Sequence, residues 1–491
     1  MSLFLPFAIL FAGAVALARP NHGGERTALL VTGLAFLASL ILCFLPASEQ
    51  VVYGLHLGQT TFLLFAVICF ISLVIQAYAL RHFDGDRRQS LTTARFLALT
   101  IALLLFVSAD HLLLLALGLG LSNYLLVQLM VHNPQWAAAR FSGRLAWRHL
   151  GGAAVALLLA AAGIYWTQGH LSLQQLTTGW TATPLTPVLA ILIVLSALLQ
   201  SAIWPFHRWL IASANAPTPV SAFMHAGLVN GGALILYKLY PIIAQLSWTS
   251  TLLILLGAIT AFVGTTWMLV QSDVKRTLTC STMGQMGFMI MQCGLGLFPA
   301  AIAHMIWHGF FKASLFLSAG STVKAAKNQS LRLHGPSALP IFLFGLAMGL
   351  AGTWIFWQFT HHTGSLQSTY LFLLVFCGIT CAHAVMTILQ PNPSLGRALL
   401  AGAFGLLGSV VYGASVWAVE SQVANMLAQP LAGWHLAILA LFGLGWLLMI
   451  FRRYLPTSAT AGWIAPLYMR ALRGSQPPMA SMNVRRGDYR L

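Results

Sequence analysis

Residues 301–320 read AIAHMIWHGFFKASLFLSAG, and this stretch decides the fold. It is apolar over about 20 residues, the length a helix needs to cross a bilayer. Within it stand three ionisable side chains, His304, His308 and Lys312. At spacings i, i+4 and i+8 they line one helix face over about 12 Å. An ionisable group in hydrocarbon costs several kcal/mol, so it marks function by default. Buried lysine can switch charge and histidine exchanges protons near neutral pH, so the row has the chemistry of a proton relay. The competing reading is two histidines bonded to neighbouring helices and a lysine reaching outward. Lys312 lies near mid-span, which makes that reach hard. A zinc site at His304 and His308 would call for a glutamate beside the first histidine, and Met305 stands there.

The rest of the chain agrees with a membrane solvent. Of 491 residues 58% are hydrophobic and 7% charged, with a mean hydropathy of +0.82. A soluble domain carries about a quarter charged residues and could not solvate itself with so few. The apolar runs are continuous rather than alternating, which selects helices over a barrel. Fifteen segments read as spans: 3–18, 27–46, 58–80, 93–108, 111–130, 146–165, 186–206, 217–240, 250–271, 281–297, 299–322, 336–358, 369–390, 398–418 and 430–451. The first reads as a span rather than a cleaved signal peptide, because no basic region precedes it. A basic, proline-containing tail follows the last. The expected class is an all-α polytopic membrane protein of 13–15 transmembrane helices.

The net charge of +17 does not imply nucleic acid, because the charges are sorted. With the N-terminus outside and the spans alternating, only Lys238 and Lys312 of the 25 Lys and Arg residues fall away from inside loops, leaving 23 there. That is the positive-inside pattern of a multi-pass inner-membrane protein with a cytoplasmic C-terminus. Part of the excess also suits anionic lipid. The six cysteines sit in apolar runs and read as packing residues.

Further candidates lie where the apolar runs are interrupted. WPFHRWLIASANAPTPVSAFMHAGLVNGG, residues 204–232, holds Pro205, Pro217 and Pro219, which break helices. Broken helices at membrane depth often mark ion sites, and His225 follows the break. A packing histidine beside Gly227, Gly231 and Gly232 is the plainer reading. Asp273 and Lys275 with Arg276 stand at an inside turn, as a gate or as a solvated turn. Asp110, beside His111, is an entrance acid or a helix cap. His361 and His362 are equally open.

The stretches APTPVSAFMHA, KRTLTCSTMGQMGFM and AHMIWHGFFKASLFLSAG together closely resemble the antiporter-like subunits of complex I and of Mrp-type sodium/proton antiporters. The resemblance implies two inverted five-helix repeats, each with a broken helix, spanning 93–246 and 250–390. These would be flanked by N-terminal helices over 1–92, C-terminal helices over 391–451 and a tail over 452–491. It also implies that His225, His304, His308 and Lys312 belong to the ion path, with Asp110, Lys238, Asp273 and Lys275 as further members.

The departures are informative. Where that family has a glutamate in its fifth helix this chain has Leu117, and where it has a lysine before the first broken helix it has Gln200. LAGTWIFWQFTHH, matching the second broken helix, has no lysine, and His362 lies near that place. This pattern and the basic tail resemble the membrane (DabB-type) subunits of Dab inorganic carbon uptake systems. That branch implies a DabA-type partner at the cytoplasmic face, similar to a zinc β-carbonic anhydrase. The partner would hydrate CO2, and this chain would let H+ or Na+ run down its gradient. The zinc would belong to the partner, with no cofactor here, no enzyme chemistry here and no nucleic acid. Two alternatives stand beside it: a complex I or Mrp antiporter subunit, and a non-conducting membrane anchor for the partner.

Overall fold

Backbone in lipid has no water to bond, so it must satisfy itself within helices. The computed structural model describes residues 2–17, 24–45, 49–326, 338–360, 365–389, 393–422, 428–451 and 457–482, and these are helical almost throughout. In chain order the helices are α1 (Leu5–Leu17), α2 (Gly24–Phe44), α3 (Gln59–His82), α4 (Gln89–Ser108), α5 (Leu112–Met130), α6 (Ala137–Gln168), α7 (Leu173–Gly179) and α8 (Thr186–Gln200). Next come α9 (Arg208–Ala212), α10 (Thr218–Ala226), α11 (Gly231–Lys238), α12 (Tyr240–Ile243), α13 (Ser247–Val270), α14 (Val274–Gly294) and α15 (Phe298–Ala326). The last are α16 (Ala338–Thr360), α17 (Leu371–Leu389), α18 (Leu395–Glu420), α19 (Gly433–Phe451) and α20 (Thr457–Gly474).

Among the described residues, 12 helical stretches are long and apolar enough to cross a membrane, α10 and α11 counting as one. The shorter apolar α1 and α8 and the more polar α14 complete the fifteen segments read from the sequence. Two departures stand out. Strands β1 (Gln50–Val52) and β2 (Leu55–Leu57) form an antiparallel hairpin. Its turn residues Tyr53 and Gly54 both have positive φ, the geometry that matches hairpin twist. The tail is also helical over α20, where Trp463, Leu467 and Ala471 recur at helical spacing.

Contacts divide the chain into two units. The first holds Met1–Met291, Met305–Gly320 and Met469–Leu491. Its helices approach closely where glycine allows. A Cβ on Gly257, Gly264 or Gly287 would come within 2.4–2.7 Å of backbone atoms across the α13–α14 crossing. Polar side chains tie other neighbours without charge: Ser72 bonds Thr100 at 2.6 Å, and Gln76 donates to Ser72 at 2.8 Å. Such bonds hold transmembrane helices together where the hydrophobic effect no longer sorts them.

The second unit holds Gln292–His304 and Ser321–Tyr468. Here α16, α17 and α18 pack on small residues, with Gly352 facing Cys381 and Ser409, and Gly405 facing Val385 and Cys381. Helix α16 is continuous, so no break falls within it. Its one proline, Pro340, stands in the first turn, where the missing N–H has no helical partner to lose. All six cysteines are free thiols. His361, His362 and the tail beyond residue 482 lie outside the described residues.

Candidate functional site

The helix break is built as the prolines require. Helix α8 ends at Gln200, Ala202 takes a left-handed conformation with φ 53°, and the Trp204–Pro205 bond is cis. Pro217 then precedes α10 and Pro219 sits in its first turn, where proline is tolerated. Helix α10 stops at Ala226. A 3-10 turn, Leu228–Asn230, carries the chain into α11. Neighbours hold this unwound backbone: Gln200 Nε2 donates to Leu228 O at 3.0 Å and Ser201 Oγ to Val229 O at 2.7 Å.

His225 lies in the last turn of α10 and is fully buried. Neither ring nitrogen has a hydrogen-bond partner. The imidazole stacks on Phe316 of α15, with ring centroids 4.4 Å apart and planes 12° from parallel. The two helices meet here because Gly309 lets the Ala226 carbonyl approach to where a Cβ would lie 3.0 Å away.

Lys312 stands one helical turn before Phe316. It is 0% exposed, its Nζ donates to Ser281 Oγ at 2.8 Å and Leu278 O at 3.4 Å, and it lies 5.9 Å from the Phe311 ring centroid. No carboxylate pairs with it among the described residues. An amine in dry surroundings with neutral oxygen partners is one whose charge can be switched. Ser281 belongs to the polar segment of α14, KRTLTCSTMG. Its part was legible only as a hydroxyl in a membrane helix and is now seen as the lysine's ligand.

His308 is buried one turn before Lys312. His304, a turn earlier and within the second unit, is held by Gln292, whose Oε1 lies 3.0 Å from His304 Nδ1. The predicted row thus runs along one unbroken helix, α15.

The remaining candidates sit at helix ends. Asp273 accepts from the Arg276 amide at 2.8 Å and so caps α14. Lys275 turns back to donate to Ala216 O at 2.8 Å, clamping the turn before Pro217. Asp110 is 4% exposed and accepts from Ser172 Oγ at 2.7 Å and the Gln174 amide at 3.0 Å. It therefore caps α7, a helix some sixty residues along the chain, and not the helix that follows it. Lys238 donates to the Ala109 carbonyl beside it at 2.9 Å. Among the described residues no three metal-binding side chains gather.

Leu117 faces outward, 56% exposed. The group that meets Gln200 is Asn123: each amide donates to the other's oxygen, at 2.8 and 3.0 Å, and both are buried. A neutral amide pair thus stands at Gln200, where the resemblance implies a charge.

Buried bases on a long helix beside a proline-broken one define a polytopic membrane protein of the antiporter-subunit fold. A structure of the Mrp complex from Dietzia sp. DQ12-45-1b shares it, with a TM-score of 0.64 at 21% identity over 96% of this chain and 59% of that one. The family described as NADH:quinone oxidoreductase/Mrp antiporter, transmembrane, matches residues 109–387, and the chain belongs to it.

Within the family it is similar to proteins named probable inorganic carbon transporter subunit DabB. The Bacillus subtilis protein is 37% identical over 308 residues, covering 60% of this chain and 59% of its own length. DabB1 of Halothiobacillus neapolitanus is 34% identical over 293 residues, covering 58% and 52%. The Bacillus anthracis protein is 34% identical over 349 residues, covering 68% and 66%. The matches thus span about half to two thirds of these relatives' length. They bear out the resemblance drawn from the motifs.

Proposed function

We propose that this chain is the membrane subunit of an inorganic carbon uptake system, conducting H+ or Na+ to energise a zinc β-carbonic-anhydrase-like partner of DabA type. The observation that carries the reading is Lys312. It is wholly buried, bonded to Ser281, unpaired by any carboxylate among the described residues, and one turn from the ring on which His225 stacks. An anchor would gain nothing from burying a lysine. Lys312, His308, His304 and His225 form the path, with Asp110 and Lys238 towards one end and Asp273 and Lys275 towards the other. The 93–246 and 250–390 repeats frame it. In this reading the basic loops face the cytoplasm of a bacterial inner membrane, where the partner docks and supplies the hydration chemistry. The names of the relatives support the carbon substrate, and the neutral Asn123–Gln200 pair favours this reading over a complex I or Mrp pump.

The test is inorganic carbon uptake by carbonic-anhydrase-deficient cells growing in air, expressing the chain and its partner as wild type or Lys312→Ala. Lost rescue with membrane level and partner binding intact is expected. Full rescue by the variant would move the weight to the anchor reading.

A further inference from the structure

Beside the helix break the first unit has a partly open cavity of about 60 Å³. Its walls are apolar, among them Leu64, Phe106 and Met305, and its polar edge is Ser122, Gln200 and Asn230. That volume has room for about four water-sized positions.

Asn230 is 2% exposed. Its Nδ2 donates to Ala226 O at 2.8 Å, which fixes the amide, since turning it over would set two oxygens together. Its Oδ1 is then left without a partner. The other two polar side chains have no proton to spare. Gln200 Nε2 is committed to Asn123 Oδ1 and Leu228 O, and the Ser122 hydroxyl donates to Leu119 O at 2.9 Å. Apart from the second N–H of Asn230, the polar side chains therefore present lone pairs and no free donor. A buried acceptor left unmatched is costly, and the species that would match it is a cation or a water that donates. Oxygen ligands where a membrane helix unwinds are the usual way to hold a dehydrating cation.

We propose that this cavity is a stepping site for the transported cation in hydrated form, a water-borne proton or a partly hydrated Na+, held by Asn230 Oδ1 and Ser122 Oγ. The site rests on the conduction reading above and adds to it a group with no titratable proton of its own.

The test reconstitutes the full chain with its partner in liposomes under an imposed membrane potential. It reads H+ entry by an internal pH dye and Na+ entry by radioactive tracer. Asn230→Leu, which keeps the size and removes the lone pairs, lowers the flux roughly tenfold to a hundredfold, as expected for losing a hydrogen bond to a charged species. Asn230→Asp lowers the cation concentration giving half-maximal flux. Entry of either ion into the wild type supports the conduction reading and identifies the ion, and its loss in Asn230→Leu supports the site. Undiminished flux in Asn230→Leu, with Lys312→Ala silent, would overturn the site alone. A wild type that passes neither ion would overturn the conduction reading and the site together. Should Asn230→Leu fail to assemble, Ser122→Ala takes its place: a severalfold loss supports the site, and wild-type flux overturns it.

Discussion

Replacing Asn123 by leucine breaks the amide pair without changing the space it fills. Between Asn123 and Gln200 run two hydrogen bonds, at 2.8 and 3.0 Å, and each amide has one further bond, to Leu150 O and Leu228 O, both at 3.0 Å. Both side chains are at most 1% exposed. In Asn123→Leu, Gln200 Oε1 loses the partner that now serves it, and water has no easy access. Stranding a buried polar group costs about 1–3 kcal/mol, and the lost bonds add about 1 kcal/mol, so a total of roughly 2–4 kcal/mol is expected. The damage spreads, because Gln200 also holds the Leu228–Asn230 turn. Asn123→Leu with Gln200→Met removes both partners together, and the pair should cost about 1–3 kcal/mol less than the sum of its single changes. The assay is the thermal unfolding midpoint of purified protein in lipid nanodiscs, followed by tryptophan fluorescence, for the wild type, both single variants and the double. Strict additivity, or an unchanged midpoint in Asn123→Leu, would refute the claim that these amides depend on each other.

Gly287→Val sets a side chain where a Cβ would lie 2.5 Å from Ala261 N and 2.7 Å from Gly257 O, backbone that cannot swing aside. It should cost at least about 1–3 kcal/mol, seen as a lowered melting midpoint, while Gly408→Ala, with nothing within 4 Å, should be tolerated. Asp86, in the loop between α3 and α4, lies 2.7 Å from His132 Nε2. Burial opposes its ionisation, but the Arg88 amide and His132 outweigh that and hold the carboxyl below its usual range. A lowered carboxyl stabilises the fold above the unfolded value of about 3.9 and ceases to as pH falls through the folded one. The melting deficit of Asp86→Asn should therefore be present at neutral pH and vanish only in acid. A deficit that persisted in strong acid would show that lost packing, not charge, caused it.

The fifteen segments were readable because hydropathy reports the solvent around a helix, and lipid leaves that signal almost undiluted. Even α14, the most polar of them, fell into place, because its second half, MGQMGFMIMQCG, is apolar enough to reveal it. The basic row His304, His308 and Lys312 was readable for the same reason: in lipid each charge is conspicuous. What sequence could not supply was partnership. Leu117 holds the family's glutamate position, yet it faces outward, and Asn123 turns to Gln200. Six residues further on, Asn123 points about 120° away round the same helix. No local pattern ties Asp110 to the start of α7, because the connection lies in tertiary structure. Ser281 and Asn230 were invisible for a further reason: a lone hydroxyl or amide in a helix is ordinary until the atom it faces is known.

The sequence holds eight acidic residues. Seven are described: Glu25, Glu49, Asp84, Asp86, Asp110, Asp273 and Glu420. Each stands at a helix end or in a loop, so none faces the middle of a described span. Between the Asp110 and Asp273 ends of the proposed path, the ionisable side chains are nitrogen bases, which gain a positive charge when they take a proton, and among the described residues no carboxylate pairs with Lys312 or His225 to offset it. Two such charges on His225 and Lys312 would repel strongly in surroundings of low dielectric. On the proposed reading, a proton reaching one of them makes the other's harder to keep, so arrival at one site drives release from the next. A path lacking the family's charged pair at Gln200 can still hand a proton on by this means. On that reading the neutral Asn123–Gln200 clamp belongs to the frame that holds the break in place, and α15 carries the proposed path.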